Sequence, residues 1–154
     1  MAIFPELVAT DSDGTQQFIW MQQRGDTCGP ACVYMVERIL RQQSIVGGEV
    51  RVRQVTELLP DGYQEGHGTQ SYRALADVLV AIGVPASASH TTNVAAFVSS
   101  ASFPFIARVG WASGGGHFVV CAGVNNSNGI ICLDPWYGLV EPSRASLPGL
   151  PCDA

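Results

Sequence analysis

The spacing of apolar residues in this 154-residue chain changes near residue 100, and that change limits the folds it can adopt. Before this point apolar residues recur at the spacing of helices that have one buried face. After it come short runs rich in β-branched and aromatic residues, at 103–111, 117–124 and 130–133. Helices first and antiparallel strands second predict a single α+β domain over residues 1–154.

The clearest helical segment is predicted over residues 28–43 and should pack in the core. Its apolar positions recur at helical spacing, namely Ala31, Cys32, Met35, Val36, Ile39 and Leu40. Asp26 or Thr27 is suited to cap its start, and Pro30 suits its first turn. Further elements are predicted as helices at 51–59 and 71–82, a short helix ending at Val98 and an edge strand at 139–141.

The predicted core of the domain spans about residues 18–142. Glycines punctuate residues 44–49 and 66–69, which are therefore predicted to be loops. A hairpin turn is predicted at 125–129, because its Asn, Ser and Gly residues suit a tight turn. Residues 147–154 contain prolines and a glycine, and we expect them to form a loosely held tail.

The composition excludes several classes of protein. Apolar residues make up 47% and charged residues 14%, which is typical of a folded rather than a disordered chain. The net charge is −5 and no basic block is present, so we expect no nucleic-acid partner. No apolar run approaches the roughly 18 residues of a membrane span, and the N-terminus lacks signal-peptide features. We therefore expect a cytoplasmic protein in the producing cell, with export into a target cell left open.

The five cysteines do not suggest a disulfide framework or a metal site. Their count is odd, and Cys32, Cys121 and Cys132 lie in apolar runs, as buried free cysteines do. A Cys121–Cys132 disulfide is less favoured in a protein without a signal peptide. Cys28 and Cys32 lie one helical turn apart, but no second close pair completes a zinc site. We therefore expect no metal site from the cysteines.

Cys28 stands at the start of the 28–43 helix and is a candidate nucleophile. There a thiolate would face free backbone N–H groups and the positive end of the helix dipole. Gln22, six residues earlier, could donate a side-chain N–H to an oxyanion. A cysteine at a helix start is more often structural, but Gln22 and the sequence around Cys28 favour the nucleophile.

His117 follows three glycines and begins a β-rich run, so it is the candidate general base. Asp134 ends the neighbouring predicted strand and could orient the His117 ring. Taken singly, His117 could be a surface residue, and Asp134 could be only a turn residue before Pro135. His67 and His90 are less favoured bases, since neither begins a strand beside a carboxylate.

These segments together resemble the papain-like cysteine proteases. More narrowly, they resemble the bacteriocin-leader peptidases, which cut after double-glycine leaders at the front of certain ABC exporters. The resemblance spans about residues 18–138. The segments that carry it are Gln22, 26–32, 68–69, 104–107, 117–120 and 133–135.

The resemblance implies a papain-like α+β fold and peptide-bond hydrolysis without metal or cofactor. It implies a Cys28–His117–Asp134 triad with Gln22 in the oxyanion hole. Candidate substrate-binding residues are Gly29, Trp111, Gly115 and Gly116, with Gly25 and residues 66–69 as further candidates.

Different functions remain compatible with these residues. A thiol site of this kind also supports deamidation or transglutamination, because all three reactions pass through a thioester. An inactive peptide-binding domain of the same fold is disfavoured, since every expected catalytic residue is present. Because the sequence shows no membrane or ATPase part, we expect a free-standing or an excised domain, and free-standing papain-like domains also serve as bacterial effectors and toxins. We expect a protein or peptide substrate, and a cognate inhibitor or immunity protein remains open.

Overall fold

The computed structural model describes residues 5–91, 93–110, 116–143 and 152–153. The α+β class is confirmed: helices dominate the first two thirds, and an antiparallel sheet follows. The helices are α1 (Cys28–Arg41), α2 (Gly48–Glu57), α3 (Tyr72–Ala81) and α4 (Val94–Ser100). The strands are β1 (Glu6–Thr10), β2 (Gln16–Trp20), β3 (Tyr63–Gln64), β4 (Gly68–Thr69), β5 (Phe105–Gly110), β6 (Gly116–Val124), β7 (Ile130–Asp134), β8 (Gly138–Val140) and β9 (Cys152–Asp153).

The main sheet has the strand order β8-β7-β6-β5-β9, and its neighbouring strands are antiparallel. Both faces of its central strands are buried, which explains why β6 and β7 read as nearly continuous apolar runs. One face packs against α1 through Phe118, Val120, Ile131 and Leu133. The other face packs around Val98 of α4 through Ala107, Val109, Val119, Cys121, Ile130 and Cys132.

Helix α1 is the central helix of the domain and packs against α2, α3 and the sheet. Its residues from Gly29 to Glu37 are all buried, so its first two turns lie inside the core. The expected burial of Leu40 is wrong, because its side chain is 53% exposed near the end of the helix. Burial of this much apolar surface fixes the start of α1 rigidly against the sheet.

The helix start is held by tertiary contacts more than by local capping. Thr27 is the N-cap of α1, but its side chain makes no capping hydrogen bond. The side chain of Asp26 accepts hydrogen bonds from Tyr63 Oη at 2.7 Å and from the backbone N of Gly66 at 2.6 Å. In place of the side-chain cap predicted from the sequence, Asp26 therefore makes a contact with the β3–β4 ribbon.

Several elements differ from the sequence predictions. Helix α2 begins at Gly48, inside the predicted 44–49 loop. The predicted 66–69 loop contains β4, which pairs with β3. Strands β1 and β2 form a hairpin that the sequence did not predict. Of the predicted loose tail, residues 152–153 are described, and they pair with β5 as β9.

No helix in the described ranges is both long and apolar enough to cross a membrane. Among the residues that the structure describes, Cys28, Cys32 and Cys132 have free thiols. Cys121 and Cys132 are register partners on β6 and β7, and their Sγ atoms lie 3.9 Å apart.

Candidate active site

Cys28 is the first residue of α1 and is half-buried at the edge of a cleft. The backbone N–H groups in the first turn of a helix lack intrahelical partners, and they point towards the space in front of it. An anion formed there, whether a thiolate or an oxyanion, is stabilised by these groups and by the helix dipole. The predicted position of Cys28 at a helix start is confirmed.

His117 and Asp134 lie on neighbouring strands, and Nε2 of His117 is 2.8 Å from Oδ1 of Asp134. The β6–β7 register pairs Val120 with Leu133, and its continuation places His117 diagonal to Asp134. Both residues are buried, at 4% and 5% exposure. The two strands therefore bring the predicted base and its predicted partner into direct contact.

Asp134 also organises the turn that follows β7. Its Oδ1 atom accepts the backbone N–H of Trp136 at 2.8 Å and that of Tyr137 at 3.2 Å. The two sequence interpretations of Asp134, a turn residue and a partner of His117, are thus compatible. The turn fixes the carboxylate that receives the imidazole.

The environment of His117 favours its charged form. Burial lowers the pKa of His117, but hydrogen bonds to Asp134 and Cys28 and the charges of both groups outweigh burial. Together they raise its pKa from 6.5 to about 9. Since Nε2 donates to Asp134, Nδ1 is the ring nitrogen that serves Cys28. With a pKa of about 9, His117 is an imidazolium at neutral pH, placed to stabilise negative charge on the Cys28 sulfur.

Gln22 lies in the same cleft as Cys28, near the start of the segment that follows β2. Its backbone N–H donates to the carbonyl of Pro135 at 2.9 Å, so it is tied to the turn that Asp134 organises. Its Nε2 donates to the Arg24 carbonyl at 2.7 Å. An amide nitrogen carries two hydrogens, so a second N–H remains for an oxyanion.

The cleft has a volume of about 630 Å³ and runs between α1, the β3–β4 ribbon and the start of β6. The residues that line it are Gln22, Gly25, Asp26, Cys28, Gly66, His67, Gly68, Thr69, Gln70, Arg108, Gly116, His117, Phe118, Trp136 and Tyr137. Among the predicted substrate-binding residues, Gly116 is in this wall, whereas Trp111 and Gly115 lie outside the described residues.

Gly29 has a packing role in the structure and does not line the cleft. A Cβ at this position would lie 2.6 Å from Oγ1 of Thr69 and 3.1 Å from Cδ2 of Leu75. Gly29 therefore lets α1 approach β4 closely. On the other wall, a Cβ at Gly116 would lie 2.7 Å from Nη2 of Arg108, the end of a flexible side chain, so the constraint there is weaker.

Trp136 and Tyr137 are wall residues that the sequence prediction missed. They follow Asp134 in the turn and are 52% and 65% exposed. Large exposed aromatic side chains beside a cleft are typical of binding surfaces. Their local sequence reads as an ordinary turn, so only the position of Asp134 beside His117 identifies them.

A second, apolar groove of about 400 Å³ adjoins the cleft. Its walls come from α1, α3, α4 and β5, and include Leu40, Leu75, Leu79, Phe97 and Phe105. Arg108 and Phe118 line both the groove and the cleft, so the two are neighbours. This arrangement depends on the packing of distant elements and had no signal in the sequence.

Comparison with known proteins places this site in a family. The model of the Peptidase C39 family matches residues 16–148, which include Gln22, Cys28, His117 and Asp134. The chain belongs to the Peptidase C39 family. It is therefore a cysteine peptidase, a hydrolase, and the resemblance to the bacteriocin-leader peptidases is confirmed.

Two solved structures resemble this C39 peptidase over most of their length. One is a double glycine motif protease from an AMS/PCAT transporter in complex with the leader peptide, with 17% identity and a TM-score of 0.63. The match covers 99% of this chain and 93% of that one. The other is the peptidase domain of Streptococcus ComA, a bi-functional ABC transporter involved in a quorum-sensing pathway. It has 16% identity and a TM-score of 0.63, and covers 86% of this chain and 92% of that one.

At these identities the two structures bear on the fold of the C39 peptidase alone, and they confirm the papain-like α+β architecture. No curated protein matches the chain. The roles of individual residues in the cleft therefore rest on geometry and chemistry.

Proposed function

We propose that this C39 peptidase hydrolyses the peptide bond that follows a double-glycine leader, with Cys28 as its nucleophile. The observation that carries the proposal is the contact of His117 with both Asp134 and Cys28 in one cleft. Membership of the C39 family supports peptide hydrolysis. The solved relative that holds a leader peptide supports this class of substrate.

Each step of the reaction has a residue in position for it. The His117 imidazolium stabilises the Cys28 thiolate, which attacks the scissile carbonyl carbon. The second N–H of Gln22 and the free N–H groups at the start of α1 stabilise the oxyanion. His117 then protonates the leaving amine, and a water activated by His117 hydrolyses the thioester. Asp134 keeps the ring oriented throughout.

The cleft and the neighbouring groove suit a long peptide better than a short one. A substrate whose scissile bond lies at Cys28 can extend past Arg108 and Phe118 into the apolar groove. There its apolar side chains would contact Leu75, Leu79 and Phe97. A leader that ends in two glycines has small residues at the thiol and room for apolar anchors farther away.

Other functions have less support. Deamidation and transglutamination share the thioester, but the family favours attack on a peptide bond. The solved relatives are transporter peptidases, and nothing in them supports an effector or toxin role. A peptide-binding domain without activity would not need the contact between His117 and Asp134.

The test is a panel of precursor peptides that share one leader and differ at the cleavage site. We expect the wild-type protein to cut after Gly-Gly, and Cys28→Ala to leave every peptide intact. Replacement of the second glycine by Leu should reduce kcat/KM by at least about 100-fold, since a bulky side chain cannot approach the thiol. Equal cleavage of the Gly-Gly and Gly-Leu peptides would contradict the proposed specificity.

A further inference from the structure

Glu49 is a buried carboxyl group on α2 that faces the segment between β2 and α1. It is 2% exposed, although it lies at the second position of its helix. The backbone N–H of Gln23 donates to both of its oxygens, at 3.1 and 3.3 Å. The side chains of Thr27 and Trp20 also interact with this carboxylate. One acidic group therefore contacts the segment that carries Gln22 and leads to Cys28.

The segment is held by two consecutive backbone amides. The Gln22 N–H donates to Pro135, and the Gln23 N–H donates to Glu49. These two amides belong to the peptide planes on either side of the Gln22 Cα, so fixing both fixes the direction in which the Gln22 side chain leaves the backbone. The same segment ends at Thr27, whose backbone carbonyl accepts the N–H of Ala31 in the first turn of α1.

Burial disfavours the ionised form of Glu49. Burial raises its pKa from 4.5 to about 7, although the contacts with Gln23, Thr27 and Trp20 and the charge of Arg53 oppose the rise. Arg53 belongs to the same helix and is itself paired with Glu57 at 2.6 Å. On α1 the titratable group coupled to Glu49 is Cys32, whose pKa Glu49 helps to raise. A fold that needed only packing here would be better served by an apolar side chain.

We propose that ionised Glu49 is a positioning residue, which holds the Gln22–Cys28 segment so that the Gln22 amide meets the oxyanion. Glu49 does not touch the substrate, and this role rests on the proposed peptidase function. The physical reason is that an ionised carboxylate accepts a stronger hydrogen bond from the Gln23 N–H than a neutral carboxyl does. Protonation of Glu49 therefore loosens the segment without removing any group from the cleft.

The test compares Glu49→Gln with Glu57→Gln, a matched control on the same helix that pairs with Arg53 and lies away from the segment. We expect Glu49→Gln to lower kcat for a leader peptide by roughly 10- to 100-fold, the scale of a misplaced oxyanion donor. KM and the rate of Cys28 alkylation should change by less than about twofold, since neither needs the oxyanion hole. Glu57→Gln should match the wild type in all three.

The dependence on pH separates positioning from packing. In the wild type, kcat should include a rise centred near pH 7 that is missing in Glu49→Gln and present in Glu57→Gln. A kcat within twofold of the wild type in Glu49→Gln, or the same rise in both variants, would overturn the proposal. An equal loss of kcat and of Cys28 alkylation would also overturn it, because it would indicate general disruption of the site.

A readout that needs no substrate separates this proposal from the peptidase function. The backbone amide resonance of Gln23 should titrate with a midpoint near 7 in the wild type and remain constant in Glu49→Gln. If the wild type cleaves no leader peptide, the proposed function fails. The pH dependence of the Gln23 amide resonance still tests the hydrogen bond between Gln23 and Glu49 in that case. An amide that ignores pH in the wild type would overturn the role of Glu49. Should Glu49→Gln not fold, Glu49→Asp replaces it, and its shorter side chain should lower kcat while a pH-dependent rise remains.

Discussion

His117 and Asp134 form a buried pair across β6 and β7, with 2.8 Å between Nε2 and Oδ1. The same carboxylate oxygen accepts two backbone N–H groups of the following turn. The acceptor is thus fixed by its own strand and turn before it meets the imidazole. Because this fixed oxygen accepts a hydrogen bond from Nε2, it sets the tautomer of His117. It also leaves the other ring nitrogen, Nδ1, on the side of Cys28.

Asp134→Asn should narrow the pH range in which the site is reactive. Loss of the carboxylate lowers the pKa of His117 from about 9 towards 6.5, because its strongest favourable partner becomes neutral. The alkaline limb of kcat/KM should move to lower pH, and the onset of Cys28 alkylation should move to higher pH. Activity should fall less than in His117→Ala, which has no base. Unshifted pH profiles would mean that Asp134 serves only the turn.

Cys28→Ala and Cys32→Ala should separate chemistry from stability. Cys28→Ala should abolish activity and leave the thermal midpoint nearly unchanged, because the side chain is at the helix end. Cys32 is fully buried, and burial raises the pKa of its thiol well above 9.0. Its replacement by Ala should cost about 1 kcal/mol or somewhat more and leave kcat nearly intact. An inactive but stable Cys32→Ala with an active Cys28→Ala would reverse the assignment.

Gln22→Ala should reduce kcat by roughly 10²- to 10³-fold, the effect of one lost oxyanion donor. Gln23→Ala is the matched control. Its side chain is exposed, and the hydrogen bond to Glu49 comes from the backbone, which alanine retains. Steady-state kinetics on one leader peptide compares the two variants. Similar losses in both would contradict the placement of Gln22 in the oxyanion hole.

The sequence was sufficient to predict α1, β6 and β7, because each has a strong local pattern of apolar residues. The positions of Cys28, His117 and Asp134 on these three elements could therefore be predicted as well. The contact of Asp26 with Gly66 was not predictable, since the two residues are 40 positions apart and both lie in irregular segments. Glu49 was missed for the same reason: a lone glutamate near a glycine pair indicates a solvated turn until its partners are known.

Glu49→Gln should be more stable than the wild type at neutral and higher pH, although we expect it to be less active. A carboxyl whose folded pKa is raised stabilises the fold fully below its unfolded pKa, and this contribution is lost as pH rises through the folded value. For Glu49 this contribution to stability is therefore lost between pH 4.5 and about pH 7. Across it, the wild type should lose about 3 kcal/mol relative to Glu49→Gln, at about 1.4 kcal/mol per pH unit. Denaturant unfolding at both ends of the window measures this difference, and a constant difference would contradict the raised pKa.

The buried ion pair between α1 and α2 should respond asymmetrically to mutation. Glu37 is fully buried and pairs with Arg51 through contacts of 2.7 and 3.1 Å, whereas the Arg51 side chain is 31% exposed. Arg51→Ala removes both short contacts of the buried carboxylate and leaves it Arg41, whose Nε lies 3.9 Å away, so it should cost about 3 kcal/mol. Glu37→Gln leaves a guanidinium that water can reach, so it should cost less. A larger loss of unfolding free energy in Glu37→Gln than in Arg51→Ala would show that the pair is solvated.

The most direct test of the account is the mass of the covalent intermediate on the enzyme. A reaction of wild type with a leader-containing precursor, quenched in acid within the first turnover, should give a thioester on Cys28. We predict an adduct with the mass of the leader fragment ending in Gly-Gly, and no such adduct in Cys28→Ala. An adduct on another cysteine would contradict the account. So would an adduct with the mass of the whole precursor less ammonia, which would mean that the thiol attacks a side-chain amide and not the peptide bond.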